Sequence, residues 1–390
     1  MTQEIHGTVA DGFEAVREEF AALVAAERPD YEGQLCVWVG GRRVVDLWSA
    51  GSGPDTLYAV HGSTAGAAFL TVALLVQDGT LELDRKVTYY WPEFAAEGKG
   101  GLTLRDLLTH RAGVVGTDGG FTLAELADDR ALAERLADQR PFWRPGSAFG
   151  RHELVIGALA AEVVRRATGH TLQRVYEERI RAPYALDLFL GLPAAHEPRF
   201  RPVRLLEPTP TQRIELEAAT DGPGSLRAIA HNRNAPDPTD VASLPNDPLI
   251  RSRGPASVGG VASARGLAEL YAAAIGQTGE RQALLKPDTI AELGQLHAAG
   301  HDLVTGTHRA YALGFEATAE TWYPCLSAGS FGHSGTAGSQ GFADPRTGVA
   351  YGYTRRRCAY PPGPAPENER LVPAVHRAAL AAEASAARAA

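Results

Sequence analysis

Arg151, His152 and Glu153 put a permanent cation two residues from a carboxylate. A guanidinium offers a planar fork of donors suited to bidentate contact with a carboxylate or phosphate. Two readings of the pair stay open: Glu153 is a general base held by Arg151, or it is simply the arginine's ion-pair partner. His152 between them is expected to face outward. Two other imidazoles lie beside hydroxyls, His61 near Ser63 and His333 next to Ser334, and each can exchange protons near neutral pH. The run Gly332-His333-Ser334-Gly335-Thr336 approaches a Gly-x-Ser-x-Gly elbow. That motif needs strand–turn–helix context, and no helical pattern follows here. His297 and His301 are four apart, but no Glu lies between them and Gly300 interrupts the segment. A zincin-like site is therefore weakly supported, and no metal or cofactor is expected.

These residues need elements to place them. Phe13, Val16, Phe20, Leu23 and Val24 recur at helical spacing across 13–26. Strand patterns at 35–39 and 44–48 flank Gly40-Gly41 and read as a hairpin. A short strand at 57–60 feeds a helix beginning near Gly62. From about 81 to 210 the chain is helix-rich, broken by Pro92, Pro141, Pro145 and Pro183. Within it, 153–168 is the strongest helical stretch, ended by Gly169. After Pro255 come two helices, then strand patterns at 310–316, 329–333, 339–343 and 349–353, with a turn at 344–348. The expected plan is α+β. Residues 1–80 and 255–390 build a mixed domain around an antiparallel sheet flanked by helices, and 81–254 form a mostly helical insertion.

Several runs are similar to one family. Tyr58 to Gly79 resembles the nucleophile helix of the serine β-lactamase superfamily, ending in Leu75-Val76-Gln77-Asp78-Gly79. Arg43 to Trp48 resembles its second strand, and Leu107 to Gly113 its Leu-Leu-Ser/Thr-His-x-x-Gly turn. Phe142 to Gly150 resembles the Trp-x-Pro-Gly-Ser/Thr run before the catalytic tyrosine, and Gly259 to Ala268 a later helix start. Gly332 to Gly335 with Gly341 to Pro345 resembles the His-x-Gly strand of the class C-like esterases, the family VIII carboxylesterases, and their D-aminopeptidase relatives. The resemblance implies a β-lactamase/transpeptidase-like fold. It also implies a serine at position 62, a lysine at 65 and a tyrosine at 151, where this chain has Gly62, Ala65 and Arg151. Nucleophile and proton carriers are missing together, so acyl transfer by that mechanism is not expected. Ser63 lies one residue on, about 100° around a helix, and should point away from the old position.

The resemblance further implies what the site keeps. Backbone donors at Gly62 and Thr336 would form an oxyanion hole, with Gly335 beside them. Gly62 and Ala65 are expected to leave room for a ligand, with Arg151 adding a cation. His333 should line the pocket and is the best single acid–base or hydrogen-bonding candidate. His61 is a second candidate, though a histidine at a strand end is more often structural; His110 is expected to support packing. Three functions compete. The first is non-hydrolytic chemistry (cyclisation, elimination, isomerisation or decarboxylation) on an anionic small molecule. The second is ligand or partner binding without turnover, and the third is residual hydrolysis through Ser63 or a water.

Composition narrows the partners. The net charge is −8 with a pI near 5.9, which argues against a general nucleic-acid or anionic-membrane binder. No apolar stretch of about 18 residues occurs, so no membrane span is expected. Met1 to His6 lacks the basic and apolar pattern of a secretory leader. Cys36, Cys325 and Cys358 are the three cysteines, an odd and sparse set that suits a reducing cytoplasm. Abundant Arg and Ala with little Lys point to a GC-rich bacterial genome, in which specialised metabolism would suit the first function.

Overall fold

The computed structural model describes residues 4–389, so Met1, Thr2 and Gln3, at the head of the segment read for a leader, lie outside the described residues. The strands are β1 (Ile5–Val9), β2 (Gly33–Val39), β3 (Arg42–Ser49), β4 (Tyr58–Ala59), β5 (Leu188–Phe189), β6 (Val261–Ala262), β7 (Ala298–His301), β8 (His308–Tyr311), β9 (Glu316–Ala317), β10 (Phe331–Ser334), β11 (Gln340–Asp344) and β12 (Val349–Arg355). The helices that matter below are α1 (Glu14–Ala26), α2 (Thr64–Gln77), α3 (Ile156–Thr168), α4 (Pro210–Ala218), α5 (Ala264–Ile275) and α6 (Asn368–Ala389). Nine strands form one antiparallel sheet in the order β1-β3-β2-β12-β11-β10-β9-β8-β7. The fold is α+β, an antiparallel sheet flanked by helices.

The central strands alternate between two cores. Leu35 and Val37 of β2 join Val349, Tyr351 and Tyr353 of β12 beneath the two terminal helices, where Phe20 meets Leu371 and Val375. Cys36 points the other way, onto Ala264 and Ala268 of α5. This is the period-2 pattern of a sheet covered on both faces. On the α5 face Gly352 is a packing requirement, because a Cβ there would collide with the Ala264 carbonyl. The β2–β3 hairpin turns through Gly40 and Gly41 at φ 55° and 77°, a conformation that glycine adopts without steric cost.

α2 runs through the molecule's largest core, and every residue from Thr64 to Leu75 is buried. A helix apolar all round belongs in an interior. α3 packs against α2 and ends at Gly169 in the left-handed conformation, φ 76°. A second, three-stranded sheet in the order β4-β6-β5 draws its strands from three distant parts of the chain. β6 thereby aligns the start of α5 with the turn that opens α2.

The segment holding His297 and His301 is not helical: Ala298–His301 is β7, paired with β8 in the register Ala298↔Tyr311. The helix read as beginning near Gly62 opens with a 3-10 turn at His61–Ser63, and α2 continues from Thr64.

Candidate functional site

The turn before α2 is fixed by backbone bonds from outside it. The Val60 amide donates to the Gly260 carbonyl at 3.0 Å, and the Gly260 amide donates to Thr64 Oγ1 at 2.9 Å. His61 takes a positive φ of 45°. The Ser63 hydroxyl donates to the His333 carbonyl at 3.1 Å and sits 2.9 Å from Ser339 Oγ. It is fully buried, a packed hydroxyl sewn to β10.

The space expected at Gly62 and Ala65 is not open. A Cβ on Gly62 would lie 2.5 Å from the Ser334 carbonyl oxygen and 2.9 Å from Arg151 Nη2. The arginine occupies the volume that a side chain at 62 would use. Ala65 is part of the main core. Both positions are closely packed, as interiors require.

Arg151 is not free to hold a ligand's anion. Its Nε donates to Glu153 and its Nη1 to Glu316, both in close ion pairs. Glu316 also accepts from Trp322 Nε1 at 2.8 Å and from the Ser334 hydroxyl at 3.1 Å. The arginine's own backbone is anchored by Asp302, whose carboxylate accepts the Arg151 amide at 3.0 Å and the Tyr311 hydroxyl at 2.9 Å. Burial pushes the Glu153 and Glu316 carboxyls up, but the Arg151 charge outweighs it and holds both below the usual carboxylate range. Both acids are therefore ionised at neutral pH.

The histidines are structural in their placement. His333 Nε2 donates to the Gly314 carbonyl at 2.9 Å, and the ring lies between Phe69 and Phe315 at 5.6 and 5.4 Å. Burial pushes its pKa down to about 4, so the ring is neutral and is no proton donor at pH 7. His61 lies against the Ala242 carbonyl at 3.0 Å, and burial lowers it as well. Neither lines the cavity described next, so the structure does not bring them to the space where Arg151 and Glu153 stand. His152 does not face outward: it is fully buried, bonds to the Gly150 carbonyl at 2.7 Å and packs edge-on against Trp143. Its backbone amide donates to His110 Nδ1 at 3.2 Å, which gives His110 its expected packing role.

Next to the ionic cluster lies a cavity of about 610 Å³. Arg151, Glu153 and Glu316 form one wall, and Ser334, Gly335 and Thr336 form an edge. Arg309 and Trp322 also line it, with Arg309 4.4 Å over the indole ring. His231, Arg233 and Asp240 contribute further polar lining, and Leu216 of α4 adds an apolar side chain. Of the expected residues, Arg151, Glu153, Gly335 and Thr336 line this space; Gly62, Ser63, Ala65, His61 and His333 do not. Glu316, Trp322, His231, Arg233 and Arg309 were not anticipated. Glu316 had a visible signal, a carboxylate closing an apolar strand pattern, whereas the others stand in no motif. No cluster of three or more His, Cys, Asp or Glu placed to hold a metal occurs among the described residues.

Known proteins share this architecture. The chain matches the Beta-lactamase family over residues 21–370. It is 30% identical to the esterase/beta-lactamase LipL of Mycobacterium tuberculosis, across 92% of this chain and 84% of that protein. Among solved structures, EstA from Arthrobacter nitroguajacolicus Rue61a is 37% identical, with a TM-score of 0.88 over 98% of this chain and 99% of EstA. A family VIII carboxylesterase is 30% identical, with a TM-score of 0.83 over 96% of this chain and all of that one. The sheet order, the buried α2 and these relatives agree, and the chain belongs to the beta-lactamase family, alongside its esterases.

Proposed function

We propose that this chain uses the family's cleft to bind a small molecule without forming an acyl-enzyme. The observation that carries the reading is the 2.9 Å approach of Arg151 Nη2 to the Cβ position of Gly62. A guanidinium, held by two carboxylates, stands where an attacking side chain would have to be. Ser63 does not take its place, since its hydroxyl is bonded to the His333 carbonyl and does not line the cavity, and the Ser334 hydroxyl is committed to Glu316. Acyl transfer needs an activated nucleophile with a base in hydrogen-bond reach, and His61 and His333 are buried, neutral and committed to carbonyls. The cavity nevertheless persists at a volume typical of small-molecule sites.

A second reading, turnover by non-hydrolytic chemistry, is favoured by one observation: Glu153, His231 and Asp240 face the same cavity and can carry protons. Fluorophosphonate labelling, p-nitrophenyl ester assays and mass spectrometry of metabolites co-purified with the full chain separate these possibilities. The binding reading expects no label, no ester hydrolysis, and a retained compound recovered unchanged after prolonged incubation. Stoichiometric label on Ser63 would overturn it in favour of hydrolysis, and conversion of the compound would overturn it in favour of the second reading.

A further inference from the structure

Charge around the cavity is unevenly satisfied. Arg151 is closed onto Glu153 and Glu316. Arg227 bridges Asp221 at 3.2 Å and donates to the Thr305 carbonyl at 2.8 Å. Arg309 and Arg233 have no carboxylate in ion-pair contact among the described residues, and the Nε of each is buried without an acceptor. Arg309 lies over Trp322, whose Nε1 is bound to Glu316. It thus faces the surplus carboxylate of the Arg151 cluster, and Arg151 with Arg309 balances Glu153 with Glu316. Arg233 is then the cation left over. Asp240, the remaining acid on the walls, is exposed and already accepts the Ala242 amide at 3.1 Å.

Resting on the reading of this cleft as a ligand site, we propose that it takes a carboxylate-bearing small molecule, anchored by Arg233 with Arg309 as second donor, and not by Arg151. Stacking on Trp322 fixes the plane of the Arg309 guanidinium and leaves its edge for in-plane contact, the geometry that suits a two-oxygen acceptor. Arg151 is already committed to Glu153 and Glu316 on its own wall. Leu216, Val241 and Val304 give the organic body an apolar surface.

The test titrates the full chain with a panel of aryl and alkyl carboxylates, each paired with its primary amide and its phosphonate, by ligand-observed NMR and calorimetry. Carboxylates are expected to bind about ten- to a hundredfold more tightly than their amides, and less tightly as salt rises. Arg233→Gln and Arg309→Gln should each erase most of that preference by weakening the carboxylate far more than the amide, whereas Arg227→Gln should leave the preference standing. Equal binding of acid and amide by the unaltered protein overturns the anion site while leaving the cleft a ligand site, and it needs no variant to fold. Preference for phosphonates over carboxylates overturns the carboxylate assignment. If no member of the panel binds, the anion site and the ligand cleft both fall.

Discussion

Arg151 is a buried cation held by two carboxylates, and the physical cost of removing it is testable. Its side chain is 17% exposed, against 8% for Glu153 and 2% for Glu316. Ions this buried persist because each charge is met by another and the remaining lone pairs are bonded. Arg151→Ala would leave two carboxylates facing each other without their cation. It is expected to destabilise the fold by about 3–5 kcal/mol. Adding Glu153→Gln and Glu316→Gln should recover much of the loss, because neutral amides need no counter-charge. Urea midpoints of the single and triple variants measure this directly. A cost for Arg151→Ala below about 1 kcal/mol, the range of exposed pairs, would mean that the guanidinium is not part of the scaffold.

At the scale of elements, sequence pattern succeeded where burial follows a simple period. α2 is a continuous apolar run, the β2–β3 hairpin turns on two glycines, and β10 to β12 carry clear strand patterns. It failed where pairing overrides propensity. β1 is only half-buried and lacks alternation, and β7 is built from Ala, Ala, Gly and His, none of them strong strand formers. α4 is a third kind of element, a helix resting on its ends. Thr209 and Gln212 make a capping box, and no residue of the helix is buried. Ile214 is 68% exposed, and Glu215 is tied to the Tyr360 hydroxyl. Segments with so few packed contacts open at low free energy. Amides of α4 should therefore exchange at least about a hundredfold faster than those of α2, and slow when the cavity is filled, because Leu216 lines it. Hydrogen exchange followed by mass spectrometry gives both rates. Equal protection of the two helices would refute this account.

Across the whole molecule, family motifs placed Arg151, Glu153, Gly335 and Thr336 on the cavity but said nothing about Glu316, which lies 165 residues from Arg151 in the chain. Only the folded sheet joins them. The same folding buries a set of histidines, and this gives the molecule a pH dependence. His333 and His152 both have pKa values pushed by burial from 6.5 to about 4; His110 and His61 are lowered too. Between pH 6.5 and 4 the unfolded chain binds protons that the folded chain refuses, so stability falls as pH falls. A shift of this size is worth about 3 kcal/mol per histidine. Two buried acids act in the opposite sense. Burial raises Asp129 to about 6 and Glu269 to about 7, so acidification through those values favours the folded state. The lowered histidines, His297 among them, outnumber these acids and leave a net loss, and protonation of Glu153 and Glu316 deepens it at lower pH, since both are held below their usual range by Arg151. Urea midpoints are thus expected to fall between about pH 6.5 and 4. His333→Gln should flatten that slope, and Glu269→Gln should steepen it by removing an opposing group. A midpoint that held constant or rose on acidification would contradict the burial of these imidazoles as neutral groups.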